Sequence, residues 1–242
     1  MIYLINTRLL MKGIVLIFLT HCAITPTYSQ NADALMKRVR IKLEQVNDYK
    51  AEGLLKTDVP FMKVPESKVS VFYKRPDKFK IKKEQGISIV PKGGMSINLN
   101  SLFAGTDYTA ISAGTATIGG KSFAVIKLLP LKEDNYVVIS TLYIDEKQAL
   151  VKKAITTTKN SGTYEMEMTY GQFAQWGLPD KVFFSFNTKE YKLPKGVTFE
   201  YETEQKPAAA SKPKSQQGKV EITYKNYSIN KGIQDNIFNV AQ

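Results

Sequence analysis

Along most of this chain apolar and polar residues alternate at every second position, and one early segment departs from that rule. From Asp33 to Asn47 the apolar residues Leu35, Val39, Leu43 and Val46 recur at spacings of four, four and three. That spacing draws one stripe along a helix. Lys37, Arg38, Arg40, Lys42, Glu44 and Gln45 fill its other faces, and Asn31 or Asp33 is placed to cap its start. The stripe is aliphatic, without a Trp or Phe anchor, so it predicts a helix packed on a sheet rather than one lying in a membrane surface.

Period two then takes over. Residues 68–73 put Val69, Val71 and Tyr73 on one face, and residues 78–82 put Phe79 and Ile81 between lysines, with a proline turn at Lys74-Arg75-Pro76-Asp77. Further strands are predicted over 122–128, 136–144, 151–158, 182–186, 198–202 and 219–224. After a turn at Asn160-Ser161-Gly162, Tyr164, Met166, Met168 and Tyr170 share one face, with Glu165 and Glu167 on the other. Many consecutive antiparallel strands after one helix predict a mainly β (α+β) protein: a strongly curved antiparallel sheet or open barrel with an N-terminal helix against it.

Two stretches break the alternation. Pro91 to Ser112 is irregular, with a short helix expected near 100–104, and its apolar residues suit a plug or cover for the concave side of a sheet. Residues 206–218, rich in Pro, Ala, Lys, Ser and Gln, have the composition of a flexible loop between two strands. Nothing divides residues 30–242 into two domains.

The first 29 residues read differently again. Arg8 and Lys12 precede the short apolar run Gly13–Leu19, and Thr27-Tyr28-Ser29 offers small residues for cleavage before Gln30. This is the pattern of a secretory signal peptide, and Met11 is a second possible start. Removal of that segment takes two basic residues and no acid, lowering the formal charge from +12 to +10. It also takes His21 and Cys22, the sole histidine and cysteine. A mature chain without imidazole or thiol has no disulfide, no Ser–His relay, no Cys or His nucleophile and few routes to zinc or copper. The alternative is a lipoprotein anchored through Cys22, although His21 is a poor residue before a lipidated cysteine.

The remaining chemistry is sparse. No phosphate-binding glycine loop occurs. The candidate carboxylate pairs for an enzyme are Glu133-Asp134, Asp145-Glu146 and Glu165/Glu167, and the first two fall at strand ends where turn hydrogen bonds explain them. Lysines are dispersed among acids rather than gathered in a stripe, so no nucleic-acid partner is expected. The apolar side is richer, with 12 Phe and 13 Tyr in the chain.

Phe72-Tyr73-Lys74-Arg75-Pro76-Asp77-Lys78-Phe79-Lys80-Ile81 resembles the early hairpin of the LolA/LolB-like superfamily of periplasmic lipoprotein carriers. Leu142-Tyr143-Ile144-Asp145, Leu178-Pro179 with Phe183, and Leu193-Pro194-Lys195-Gly196-Val197 are similar to later segments of that family and follow in the same order, over residues 35–202. The resemblance implies a half-open β-barrel with a helical lid, no cofactor, no metal and no enzymatic activity. It implies a monomeric periplasmic carrier whose concave face holds acyl chains of lipoproteins or lipids, served by inner- and outer-membrane sorting components. The expected apolar lining is Val69, Val71, Phe79, Ile81, Tyr164, Met166, Met168 and Phe184. Leu99, Leu102 and Phe103 would belong to the lid. Lys80 stands where the family has a gating Arg, and it lacks the planar bidentate contact of a guanidinium. An interaction or sensor module on the same fold is the alternative.

Overall fold

The computed structural model describes residues 28–59, 62–63, 65–84, 107–132, 136–160, 162–187 and 217–238. The predicted signal segment through residue 27, the predicted lid residues Leu99, Leu102 and Phe103, the strand expected at 198–202, and residues 206–216 of the loop lie outside them.

Helix α1 (Tyr28–Glu44) starts five residues before the expected Asp33 and ends three before Asn47. Asn31 and Asp33 are therefore inside the helix and do not cap it. The expected stripe is right: Leu35, Val39, Leu43 and the following Val46 are buried, joined by Ala32 and Met36. Each large apolar side chain of this kind contributes roughly 1.5–3 kcal/mol by leaving water.

The strands are β1 (Asp48–Val59), β2 (Met62–Lys63), β3 (Ser67–Lys74), β4 (Lys78–Lys83), β5 (Tyr108–Ile118), β6 (Lys121–Pro130), β7 (Val137–Asp145), β8 (Leu150–Thr158), β9 (Gly162–Thr169), β10 (Lys181–Asn187) and β11 (Gln217–Ile229). They form one antiparallel sheet in the order β4-β3-β1-β11-β10-β9-β8-β7-β6-β5, with β2 beside β1. β5 to β10 is a plain meander. The crossing point is the centre, where β11 inserts beside β1.

Besides the two-residue β2, two strands differ from expectation. β1 is absent from the apolar pattern because its inward series, Tyr49, Ala51, Gly53, Leu55 and Thr57, holds few large apolar residues. β5 begins inside the stretch expected to be irregular. Its far end, from Ala113 to Ile118, is mostly exposed, so polar and small residues occupy both faces and the alternation vanishes.

The helix reveals the curvature. Its body packs along β5, one edge of the sheet, with the Arg40 guanidinium 5.2 Å from the Tyr108 ring centre. Its C-terminal end meets the β3–β4 turn at the other edge, where Arg75 Nη1 donates to the Glu44 carbonyl at 2.9 Å. A cation at the last carbonyls of a helix satisfies both their unpaired oxygens and the dipole. One helix reaches both edges only if the sheet wraps around it. Arg38 and Lys42 add bonds to the Lys147 and Gln148 carbonyls in the β7–β8 turn.

A polar clasp closes the base. Asp48 carboxylate oxygens accept from the Lys231 and Gly232 amides. Asn230, in left-handed conformation, accepts from the Asn47 amide at 2.7 Å and donates to the Gln45 carbonyl at 2.8 Å. Beyond it a 3-10 turn (Asp235–Phe238) lies by the β3–β4 hairpin, with Asp235 between Lys74 and Lys78.

Candidate functional site

The inner face of the sheet is one continuous apolar surface. Val69 and Val71 on β3, Ile81 on β4, Tyr164, Met166 and Met168 on β9 and Phe184 on β10 are all buried in a single cluster with the α1 stripe. Phe79 is half-buried and packs against it. All eight expected lining residues thus point to the same side. They arrive as two groups, from β3–β4 and from β9–β10, with β1 and β11 between them. Val220 and Ile222, in the strand expected over 219–224, and Ala51 and Leu55 of β1, which carried no strong signal in the sequence, complete the surface. Val71, Met166 and Phe184 have no solvent exposure, so α1 and the neighbouring side chains fill this face.

Lys80 stands elsewhere. It pairs with Phe72 between the pairs Val71–Ile81 and Tyr73–Phe79, which places it on the outer face. There Phe72 is covered in part by Lys82, whose Nζ is 5.4 Å from its ring centre.

The carboxylates expected for an enzyme are also outside. Glu165 and Glu167 both meet the Lys153 ammonium, at 2.6 and 3.4 Å, across the outer face. Asp145 accepts from the Gln148 amide at 3.1 Å, the turn role its position predicts. Glu133 and Asp134 lie outside the described residues. A groove of about 390 Å³ lies at the end of β8–β10, lined by Ile155, Thr163, Glu165, Ser185, Asn187 and Gln217, with Tyr164 and Phe186 reaching it from the apolar cluster. Its lining is about half polar, unlike the apolar inner face.

At one end of the inner face the core changes character and becomes a stack of tyrosines. Tyr49 lies 5.3 Å from Tyr73 and 5.2 Å from Tyr227, and Tyr227 lies 5.1 Å from Tyr224 and 4.9 Å from Phe173, ring centre to ring centre. Aromatic pairs at these separations attract beyond their buried area. The pairing of Tyr224 and Tyr227 depends on a bulge. β1 and β11 shift register between Glu52 and Gly53, leaving Lys225 as the extra residue. The extra residue turns two tyrosines three apart onto one face, where unbroken alternation would separate them.

Burial governs the chemistry of these phenols. It pushes Tyr73 up to about 12, against the lowering effect of Arg75, and Tyr164 up to about 12, against a hydrogen bond from Thr156. It also raises Tyr49, Tyr170, Tyr224 and Tyr227. An unfolded tyrosine ionises near 10. Above that pH the unfolded chain sheds protons that the folded chain keeps, so stability is full below pH 10 and falls as pH rises towards 12. The urea midpoint is expected to be flat from pH 8 to 9.5 and to drop steeply above 10. The phenolate absorbance at 295 nm should lag the unbound-tyrosine curve until unfolding. Titration of all tyrosines near 10 in a folded protein would refute this burial.

Three hydroxyls in and beside the stack are satisfied by backbone: Tyr227 donates to the Pro179 carbonyl at 2.7 Å, Tyr170 to the Val151 carbonyl at 2.8 Å and Tyr73 to the Pro76 carbonyl at 3.5 Å. Two are not. Among the described residues the hydroxyls of Tyr49 and Tyr224 have no hydrogen-bond partner, although these residues are 4% and 8% exposed. A buried donor left unpaired costs about 1–3 kcal/mol.

No protein-family model and no curated protein matches this sequence. Solved structures do match its shape. A putative outer membrane lipoprotein-sorting protein domain from Vibrio parahaemolyticus superposes with a TM-score of 0.54 at 6% identity, over 87% of this chain and 97% of that one. A LolA superfamily protein from Nitrosomonas europaea gives 0.53 at 10% identity, over 84% and 97%. A DUF1329 family protein from Desulfovibrio piger gives 0.52 at 11% identity, over 88% and 97%. Identities this low speak for the fold, which in its sheet and helix is as expected: a mostly β, open, curved antiparallel sheet with one helix among the described residues, of the LolA-like kind, while the expected lid residues Leu99, Leu102 and Phe103 lie outside them.

Proposed function

We propose that this protein is an exported, non-enzymatic carrier that holds acyl chains of lipoproteins or lipids on the inner face of its sheet for transport to the outer membrane. Residues 1–29 are its signal peptide, the periplasm is its compartment, and inner- and outer-membrane sorting components are its partners. The observation that carries this reading is the inner face itself, apolar from β3–β4 to β9–β10 and covered by one helix. The shared fold with a lipoprotein-sorting domain supports it.

An acyl chain enters by taking the place of the α1 stripe. Each methylene removed from water is worth about 0.8 kcal/mol, the same currency that holds Leu35, Met36 and Val39 in place. The polar ties of the helix to the β7–β8 turn are exposed bonds to carbonyls, which water replaces at little cost. Val69, Val71, Phe79, Ile81, Tyr164, Met166, Met168 and Phe184 then line the chain, and Met suits such a surface because it adapts its shape.

The filled interior favours a second reading, an envelope interaction or sensor module whose core is simply a core. Native mass spectrometry of the protein purified from an envelope extract separates the two, together with titration by a fluorescent fatty acid. The carrier is expected to retain lipid mass and to take up the probe with saturation. Absence of both leaves the second reading.

A further inference from the structure

We propose that the tyrosine stack is the seat for the polar end of the cargo, with the Tyr49 and Tyr224 hydroxyls donating to an acyl carbonyl oxygen. This rests on the carrier reading and adds where the head of the chain lies. The rings of Tyr49 and Tyr224 flank that of Tyr227 at 5.2 and 5.1 Å, and the Tyr224 phenol is near enough to oppose the ionisation of Tyr49. Both side chains are more than nine-tenths buried, both belong to the apolar cluster that contains the lining, and neither hydroxyl is paired among the described residues. Buried polar groups in folded proteins almost always have partners, so two adjacent orphans mark a place where a partner arrives.

The surroundings fit an acceptor on an apolar chain. Tyr170, Phe173 and Tyr227 are half-buried and form an aromatic rim from the surface to the orphan pair, with Phe173 4.9 Å and Tyr49 and Tyr224 5.2 and 5.1 Å from Tyr227. Two rim hydroxyls are already committed to the Pro179 and Val151 carbonyls, which fixes the rings and leaves Tyr49 and Tyr224 as the available donors. A neutral phenol held protonated by burial is a donor over the whole physiological range. An ester and an amide carbonyl present the same oxygen, so a lipid and an N-acylated chain end are two sources of one ligand chemistry.

The test compares 1-monolaurin, its carbonyl-free analogue 1-O-dodecylglycerol and an N-lauroyl dipeptide by isothermal titration to the full chain. Wild type is expected to bind the ester or the amide about tenfold more tightly than the ether, the gain typical of one or two hydrogen bonds to a buried donor. The double variant Tyr49→Phe/Tyr224→Phe, which keeps both rings, is expected to lose that preference while holding the ether as before. Its Tm should not fall, since no paired hydroxyl is removed. Equal binding of ester, amide and ether by wild type overturns the carbonyl seat and leaves the carrier standing. So does a preference that survives in the double variant. Failure of all three ligands to bind overturns the carrier reading and this inference with it.

Discussion

Phe184→Ala is expected to cost about 3–5 kcal/mol of folding stability, the range for deleting a fully enclosed ring. Phe184 has no solvent exposure and packs against Tyr164 at 5.2 Å and Phe186 at 5.6 Å. Its neighbours come from three strands of a continuous sheet, so the backbone has little freedom to close the hole. Domains of this kind are stable by only about 5–15 kcal/mol, and such a loss takes a large share of it. The informative comparison is Phe183→Ala. Phe183 is the adjacent residue on the outer face and only half-buried, and its loss should cost about 1 kcal/mol, near the centre of the range for point mutants. Urea denaturation of the two variants measures the difference. A larger loss for Phe183→Ala would mean that β10 has the opposite phase, and equal losses would mean that its two faces are equally enclosed; either would overturn the assignment of inner and outer faces.

Gly53→Val should be nearly as damaging, for a different reason. A Cβ on Gly53 would sit 2.5 Å from the Thr223 carbonyl oxygen and 3.4 Å from the Tyr224 Cα. Both obstacles are backbone of β11, so no side chain can swing aside, and the two central strands must part at their bulge. A loss of about 3 kcal/mol is expected, the upper part of the usual range for a single substitution. The near-ultraviolet circular dichroism of the tyrosine stack should weaken as well, because Tyr224 and Tyr227 are placed by that bulge. Gly114→Ala is the control: its φ of +82° disfavours a side chain, but the space around it is open, so its cost should stay near 1 kcal/mol. An unchanged melting temperature for Gly53→Val would show that β1 and β11 tolerate separation there.

Where the sequence was legible, the side chains were large and the period unbroken. The stripe of α1 and the inward faces of β3, β4 and β9 are read correctly because Leu, Val, Ile, Met and Tyr recur there at the spacing of their element. β1 escaped since Ala51, Gly53 and Thr57 hold inward positions without hydrophobic bulk. The tyrosine stack escaped because the extra residue at Lys225 advances the phase by one, and no local pattern announces a bulge whose cause lies on another strand. Arg75 was legible as part of a motif and not as a helix cap, since its partner Glu44 comes from a separate element. Lys80 was read as a gate from family likeness, whereas its pairing with Phe72 puts it on the outer face.

The clasp between Asp48 and Asn230 joins positions more than 180 residues apart in the chain, and the β1–β11 ladder runs from Tyr49 paired with Ile229 to Asp58 paired with Lys219, at separations nearly as large. Everything from β5 to β10 can pair with its immediate successor as it emerges, whereas the centre of the sheet waits for the last strand. Long-range pairing of this sort is slow because a very large loop must close first. The β5–β10 meander can therefore be in place while the sheet is still open at its middle, and the architecture is completed only when the final strand arrives.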